Sequence, residues 1–316
     1  VERQEQLSWE RRFGKWAAAA AFTAAAFALV AFIYQRVAIK PTPGNAAQYL
    51  VSLHDKPTQY LIAVVLQALS VVLLSVVLYY LFKATRARRP ELPKIALILA
   101  IAAPIAYGGV LIGTQVHQAS VAADFVKTDR AKDVKVGAKV PKDVKKGEDK
   151  ANDDATDRLA AGGGLAGVSI AATFALAVAF VLICMHAMRA GLLSRFMGIL
   201  GIIIGALHVF QFFIPPALLL ILWLPALGML FLNRWPQQRG PAWESGEPEP
   251  WPKPPSRRAA LEARAAGRDD EPDDDEPDDD EPEAETAREH PHTGQPARPR
   301  DTATHPRSKK KKRKRR

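Results

Sequence analysis

Apolar residues in this chain gather into long runs almost free of charge, and charged residues gather into a few polar blocks between and after them. A helix needs about 20 consecutive apolar residues to cross a hydrocarbon core roughly 30 Å thick. Six stretches meet or approach that length: 16–35, 60–82, 95–116, 165–187, 196–213 and 217–233, none of which contains Asp, Glu, Lys or Arg. The pattern predicts an all-α fold, a polytopic transmembrane helix bundle of about six spans, with five and seven as the neighbouring counts. Only Ile214, Pro215 and Pro216 separate the last two runs, which predicts a tight helical hairpin punctuated by proline. The last two runs are the shortest, and the fifth tilts little or thins the bilayer locally.

Basic residues beside the spans set the expected orientation, because Lys and Arg in short loops favour the cytoplasmic side. Arg3, Arg11, Arg12 and Lys15 mark residues 1–15 as a cytoplasmic N-terminal segment; Lys83, Arg86, Arg88, Arg89 and Lys94, then Arg189 and Arg195, place the second and fourth connections beside it. An even helix count brings the tail to the same face. The uncharged turn at Pro215 and the first connection, with Arg36, Lys40 and Lys56, fall outside. So does the polar connection 117–164, whose ten basic residues, interspersed with nine acidic ones, cut against the rule. Arg11 and Arg12 ahead of an Ala-rich run look like an export signal, but Phe13 is one place early for a twin-arginine pattern and further spans follow. The run is therefore read as an uncleaved signal anchor.

Composition hides all of this. A mean hydropathy of −0.07 and 24% charged residues would suit a soluble protein. The formal net charge of +10 lies mainly in the short loops, since the tail from Arg234 onward holds 19 basic and 19 acidic residues. Residues 236–316 are expected to form a disordered, charged cytoplasmic tail, with disorder from about Pro252, because so little apolar surface offsets the entropy of folding. Within it, Trp235, Trp243 and Trp251 stand among prolines that favour extended conformations over a helix, with their rings at headgroup level. Residues 269–283 repeat Glu-Pro-Asp-Asp-Asp, and Lys309, Lys310, Lys311, Lys312, Arg313, Lys314, Arg315 and Arg316 form an unbroken basic run. That run is either a hook for a polyanion (RNA, the ribosome or anionic lipid) or a partner for the acidic repeat upstream.

The predicted spans carry little reactive chemistry. Gln67, Ser70, Ser75, Ser169, Thr173, His186, His208 and Gln211 are polar but neutral, an inventory that argues against a proton- or sodium-driven carrier. The lone Cys184 lies inside the fourth span and has no disulfide partner. His54, His117 and His208 map to the outer side and are the candidate metal or haem ligands, with no spacing motif behind them. No Ser/His pair, HExxH, paired carboxylates or Gly-rich phosphate loop occurs, so no catalytic residue and no cofactor is assigned. Packing signals are clearer: Gly167, Ala171, Ala175 and Ala179 recur every four residues, and Gly201 and Gly205 form a GxxxG, both patterns that let helices approach closely. Gly162 to Gly164 reads as a flexible entry into the fourth span.

The run MRAGLLSRFMGILG from Met188 to Gly201, the segment WLPALGMLFLNRWP from Trp223, and PAWESGE from Pro241 resemble a group of uncharacterised multi-pass membrane proteins of high-GC actinobacteria. The resemblance covers roughly residues 10–255. It implies a bacterial plasma membrane and, being to a domain of unknown function, transfers no catalytic residue. Two function classes follow: a non-enzymatic membrane scaffold or adaptor whose tail recruits a protein or polyanion, or a transporter-like or small-ligand-binding protein that is not ion-coupled.

Overall fold

The computed structural model of the chain describes residues 2–132, 134–137, 145–161, 163–210, 216–235 and 239–251. Among them are nine α-helices and no strand: α1 Glu2–Ala38, α2 Ala46–Asp55, α3 Pro57–Arg88, α4 Ile95–Phe125, α5 Lys145–Ala160, α6 Gly163–Arg189, α7 Arg195–Val209, α8 Pro216–Phe231 and α9 Ala242–Ser245. Four of them, α1, α3, α4 and α6, are long and apolar enough to cross a membrane. α7 and α8 are shorter, at 15 and 16 residues, or about 22–24 Å at 1.5 Å per residue.

Neighbouring helices close a ring: α1 packs on α3, α3 on α4, α4 on α6, α6 on α7, α7 on α8, and α8 back on α1, with α3 meeting α6 across the middle. The Ala-rich run explains one seam. Ala17, Ala21, Ala24, Ala28 and Ala31 are buried at helical spacing, so α1 offers a flat face and Ser70 Oγ of α3 reaches the Ala24 carbonyl at 2.7 Å. Leu74, Val77, Leu78, Leu176, Phe180 and Trp223 fill the centre. Outward-facing residues such as Ile98, Ile105, Phe174, Ile199 and Leu222 are large and apolar, as lipid contact requires.

Turn chemistry explains the helix ends on one side. Gly191, at φ 78°, closes α6 in a Schellman motif, its N–H donating to Met188 O at 3.1 Å and that of Leu192 to Ala187 O at 2.9 Å. Ser194 then caps α7 by accepting from the Met197 amide. Asn233, at φ 58°, ends α8 in the same way, with Arg234 N–H on Met229 O at 2.9 Å. The turn expected at Ile214 and Pro215 lies outside the described residues.

Element bounds differ from the sequence expectation in three respects. Residues 1–15 are expected as a segment apart from the first span, yet from Glu2 onward the backbone is α1 itself, because Trp9 and Glu10 have partners on α3 that extend the helix. The fifth run ends as helix at Val209, short of the expected 213. The 117–164 connection is not loop throughout: α4 continues to Phe125, a 3-10 turn spans Asp129–Ala131, and α5 packs on α2. Together they form a second core of Ile39, Leu50, Leu53, Tyr60, Phe125, Val134, Ala151 and Ala155. α5 is polar except for its alanines and Leu159, so side-chain hydrogen bonds help tie it down. Glu148 Oε1 accepts from Asn45 Nδ2 at 3.0 Å and Gln48 Nε2 at 2.9 Å, and Asn152 Oδ1 accepts from the Ala46 amide at 2.9 Å. Of the expected flexible entry at Gly162 to Gly164, Gly163 and Gly164 are the first residues of α6, and Gly162 lies outside the described residues.

Candidate functional site

The start of α1, the end of α3 and the residues after α8 meet at one end of the ring. Arg88 is 4% exposed and Glu10 2%. The Arg88 guanidinium donates to both carboxylate oxygens of Glu10, at 2.6 and 3.0 Å, and further to Ala84 O at 2.9 Å and Ala242 O at 2.8 Å. Removing two charges from water is costly, and only such fully bonded, bidentate geometry offsets it. Arginine suits the position because its fork bonds a carboxylate and two carbonyls at once.

Aromatic rings wall this pair. Tyr80 donates its hydroxyl to Glu10 O at 3.0 Å and stacks on Trp9 and on Trp243. Trp243 is 4% exposed, its indole N–H donating to Leu192 O at 2.9 Å. The cations of Arg88 and Arg239 lie 5.5 and 5.2 Å from its ring centroid, within cation–π range. Arg239 Nε donates to Leu230 O at 2.8 Å, and burial draws its guanidinium below the ordinary arginine range. Arg3 pairs with Glu247 further out.

This arrangement corrects the expected start of the tail at 236. Residues 239–251 fold back onto the bundle, with α9 among them. Trp243 sits in a helical turn inside the core, not in an extended segment. Its indole finds there a carbonyl, a tyrosine and two cations. Residues 252–316 lie outside the described residues, as do the expected disorder, the acidic repeat 269–283 and the basic run Lys309 to Arg316.

The candidate metal ligands do not converge. His54 is exposed; His117 has a buried Nε2 without a hydrogen-bond partner; His208 is buried, its Nδ1 2.8 Å from Ile204 O and its ring stacked on Phe180. Among the described residues no group of three or more His, Cys, Asp or Glu is placed to hold a metal ion. The packing residues divide. At Gly201 and Gly205 an added Cβ would lie 2.4 Å from Cys184 Sγ and 2.8 Å from Phe180 Cβ, so this GxxxG is where α7 meets α6. On α6, Ala179 is buried and Ala175 half-buried, but Gly167 and Ala171 are exposed, the buried face there running through Ala172 and Leu176. Four-residue spacing drifts around a 3.6-residue helix, which carries the lower half of the stripe off the interface.

Sequence reasoning missed Glu10, Arg88 and Trp243 as partners. Glu10 and Arg88 stand among other charged residues, and nothing in their spacing marks one of each as buried.

No family model matches the chain, and no curated protein or solved structure matches it. Its own residues identify it only broadly. It is an all-α membrane-helix bundle.

Proposed function

We propose that this chain is a non-enzymatic membrane scaffold that holds a charged tail at a fixed point beside the bilayer, where the tail recruits a polyanion or a protein. The observation that carries the reading is the socket around Trp243 and Arg88: the last described residues before the tail are held to the bundle by the buried Trp243 indole, which donates to Leu192 O, and by Arg88, which donates to Ala242 O while pairing with Glu10. A tail that only trailed from the last helix would need no such clamp.

The same proposal includes six spans, both termini in the cytoplasm and a bacterial cell membrane. α7 and α8 count as spans because they complete the ring with α1 and α6, and the shortfall in length is met by local thinning of the bilayer. The basic residues of the socket end support the orientation. The resemblance to actinobacterial multi-pass proteins supports the compartment.

The test uses the full chain in discs of neutral lipid, with a labelled single-stranded RNA as probe. The full chain is expected to bind at low salt and to lose most affinity at a few hundred millimolar, where the Debye length falls to roughly 5 Å. Changing Lys309 to Arg316 to glutamine should abolish binding. Equal binding by that variant, or none by either, would sink the recruiting role of the basic run.

A further inference from the structure

We propose that a cleft of about 490 Å³ between α1, the end of α8 and the returning segment binds the phosphate of an anionic phospholipid. It is lined by Leu7, Arg11 and Lys15 of α1, by Phe231 and Leu232 at the end of α8, and by Arg239 and Trp243 of the returning segment. Arg11 and Lys15 are four residues apart and share a helix face. Among the described residues neither forms an ion pair, and Arg239 donates its Nε to Leu230 O while its guanidinium lies over the Trp243 ring. The lining also holds Glu10, which Arg88 already neutralises, and Glu244. Three cations therefore face one unpaired carboxylate, and the cleft has an excess positive charge.

Position decides what kind of anion suits it. Lys15 is followed by Trp16, which is 70% exposed, and Phe13 on the same helix is also exposed. The lipid-facing surface of α1 thus begins at the mouth of the cleft. A ligand there meets both cations and apolar side chains, the two chemistries a phospholipid presents in its phosphate and acyl chains. A small soluble phosphate would leave the apolar lining uncovered. The inference rests only on this end of the bundle lying at a membrane surface, whichever side that is, and is independent of what the tail recruits.

The experiment titrates the purified full chain in neutral detergent with phosphatidylglycerol and, separately, with phosphatidylcholine, following bound lipid by native mass spectrometry. Phosphatidylglycerol is expected to occupy one site in preference to phosphatidylcholine. The double variant Arg11→Gln and Lys15→Gln should weaken it roughly tenfold or more, as loss of two basic contacts implies. The charge-matched variant Arg12→Gln and Lys94→Gln, both exposed at the same end and outside the cleft, should stay within about twofold. Because all four residues are exposed, unfolding temperatures should match, and the tail contributes equally to every arm. Equal weakening by both variants, or no preference between the lipids, overturns the proposal. Displacement of the lipid by equimolar inorganic phosphate would overturn the lipid assignment and leave a soluble phosphate as the ligand.

Discussion

Glu10 and Arg88 show how much of this bundle depends on two side chains that look alike to their neighbours in the sequence. Each sits in a polar stretch that positive-inside counting treats as interchangeable charge, yet one of each is withdrawn from water and bonded on every side. Removing one partner leaves the other charge buried and unpaired, at a cost of about 3–5 kcal/mol. Glu10→Ala and Arg88→Met are each expected to lower the unfolding temperature of the detergent-solubilised chain strongly. Glu10→Ala with Arg88→Met should cost much less than the sum of the single changes, a coupling that a double-mutant cycle reads. Additive losses would mean that the pair is not the source of the stability. The glycines of α7 were legible in a way these two residues were not. Gly201 and Gly205 carry their signal in spacing alone, and Cys184 and Phe180 fill the space a side chain would need. Gly167 carries the same signal and meets nothing within 4 Å, because spacing records that a helix can be approached and not that it is.

Among the elements, the long apolar helices were the most legible part, since a run of 20 residues without charge has few other uses. The outer lobe was the least. α5 has too few large apolar residues to announce a core, and its packing comes from hydrogen bonds to Asn45, Gln48 and the Ala46 amide about a hundred positions away, which no local pattern encodes. Tyr49 ties α2 to α4 in that lobe by donating to Gln118 Oε1 at 2.7 Å, and burial, followed by the neighbouring Tyr60, pushes its pKa up to about 12 from 10.0. A raised phenol pKa favours the neutral form in the fold. Its contribution is therefore fully present below the ordinary value and is lost as pH rises through about 12. The difference in phenolate absorbance between the wild type and Tyr49→Phe should accordingly titrate near pH 12; a midpoint near 10 would mean that Tyr49 is not held in the lobe.

At the scale of the whole molecule, the ring of six helices has two unlike ends. One carries the buried ion pair, the Trp243 socket and the basic cleft; the other carries the lobe built from α2 and α5. In the proposed topology the first faces the cytoplasm and the second the outside, and tail recruitment depends on that orientation. Single cysteines test it directly: Asp149→Cys and Glu5→Cys, at exposed positions of α5 and α1, and Thr302→Cys in the tail, each in the full chain in intact cells with a membrane-impermeant thiol reagent. The native Cys184 is fully buried and supplies little background. The Asp149→Cys variant is expected to label in intact cells, and the other two only after permeabilisation. Labelling of Asp149→Cys and Thr302→Cys from the same face would contradict the proposed topology, and so would labelling of Glu5→Cys from outside.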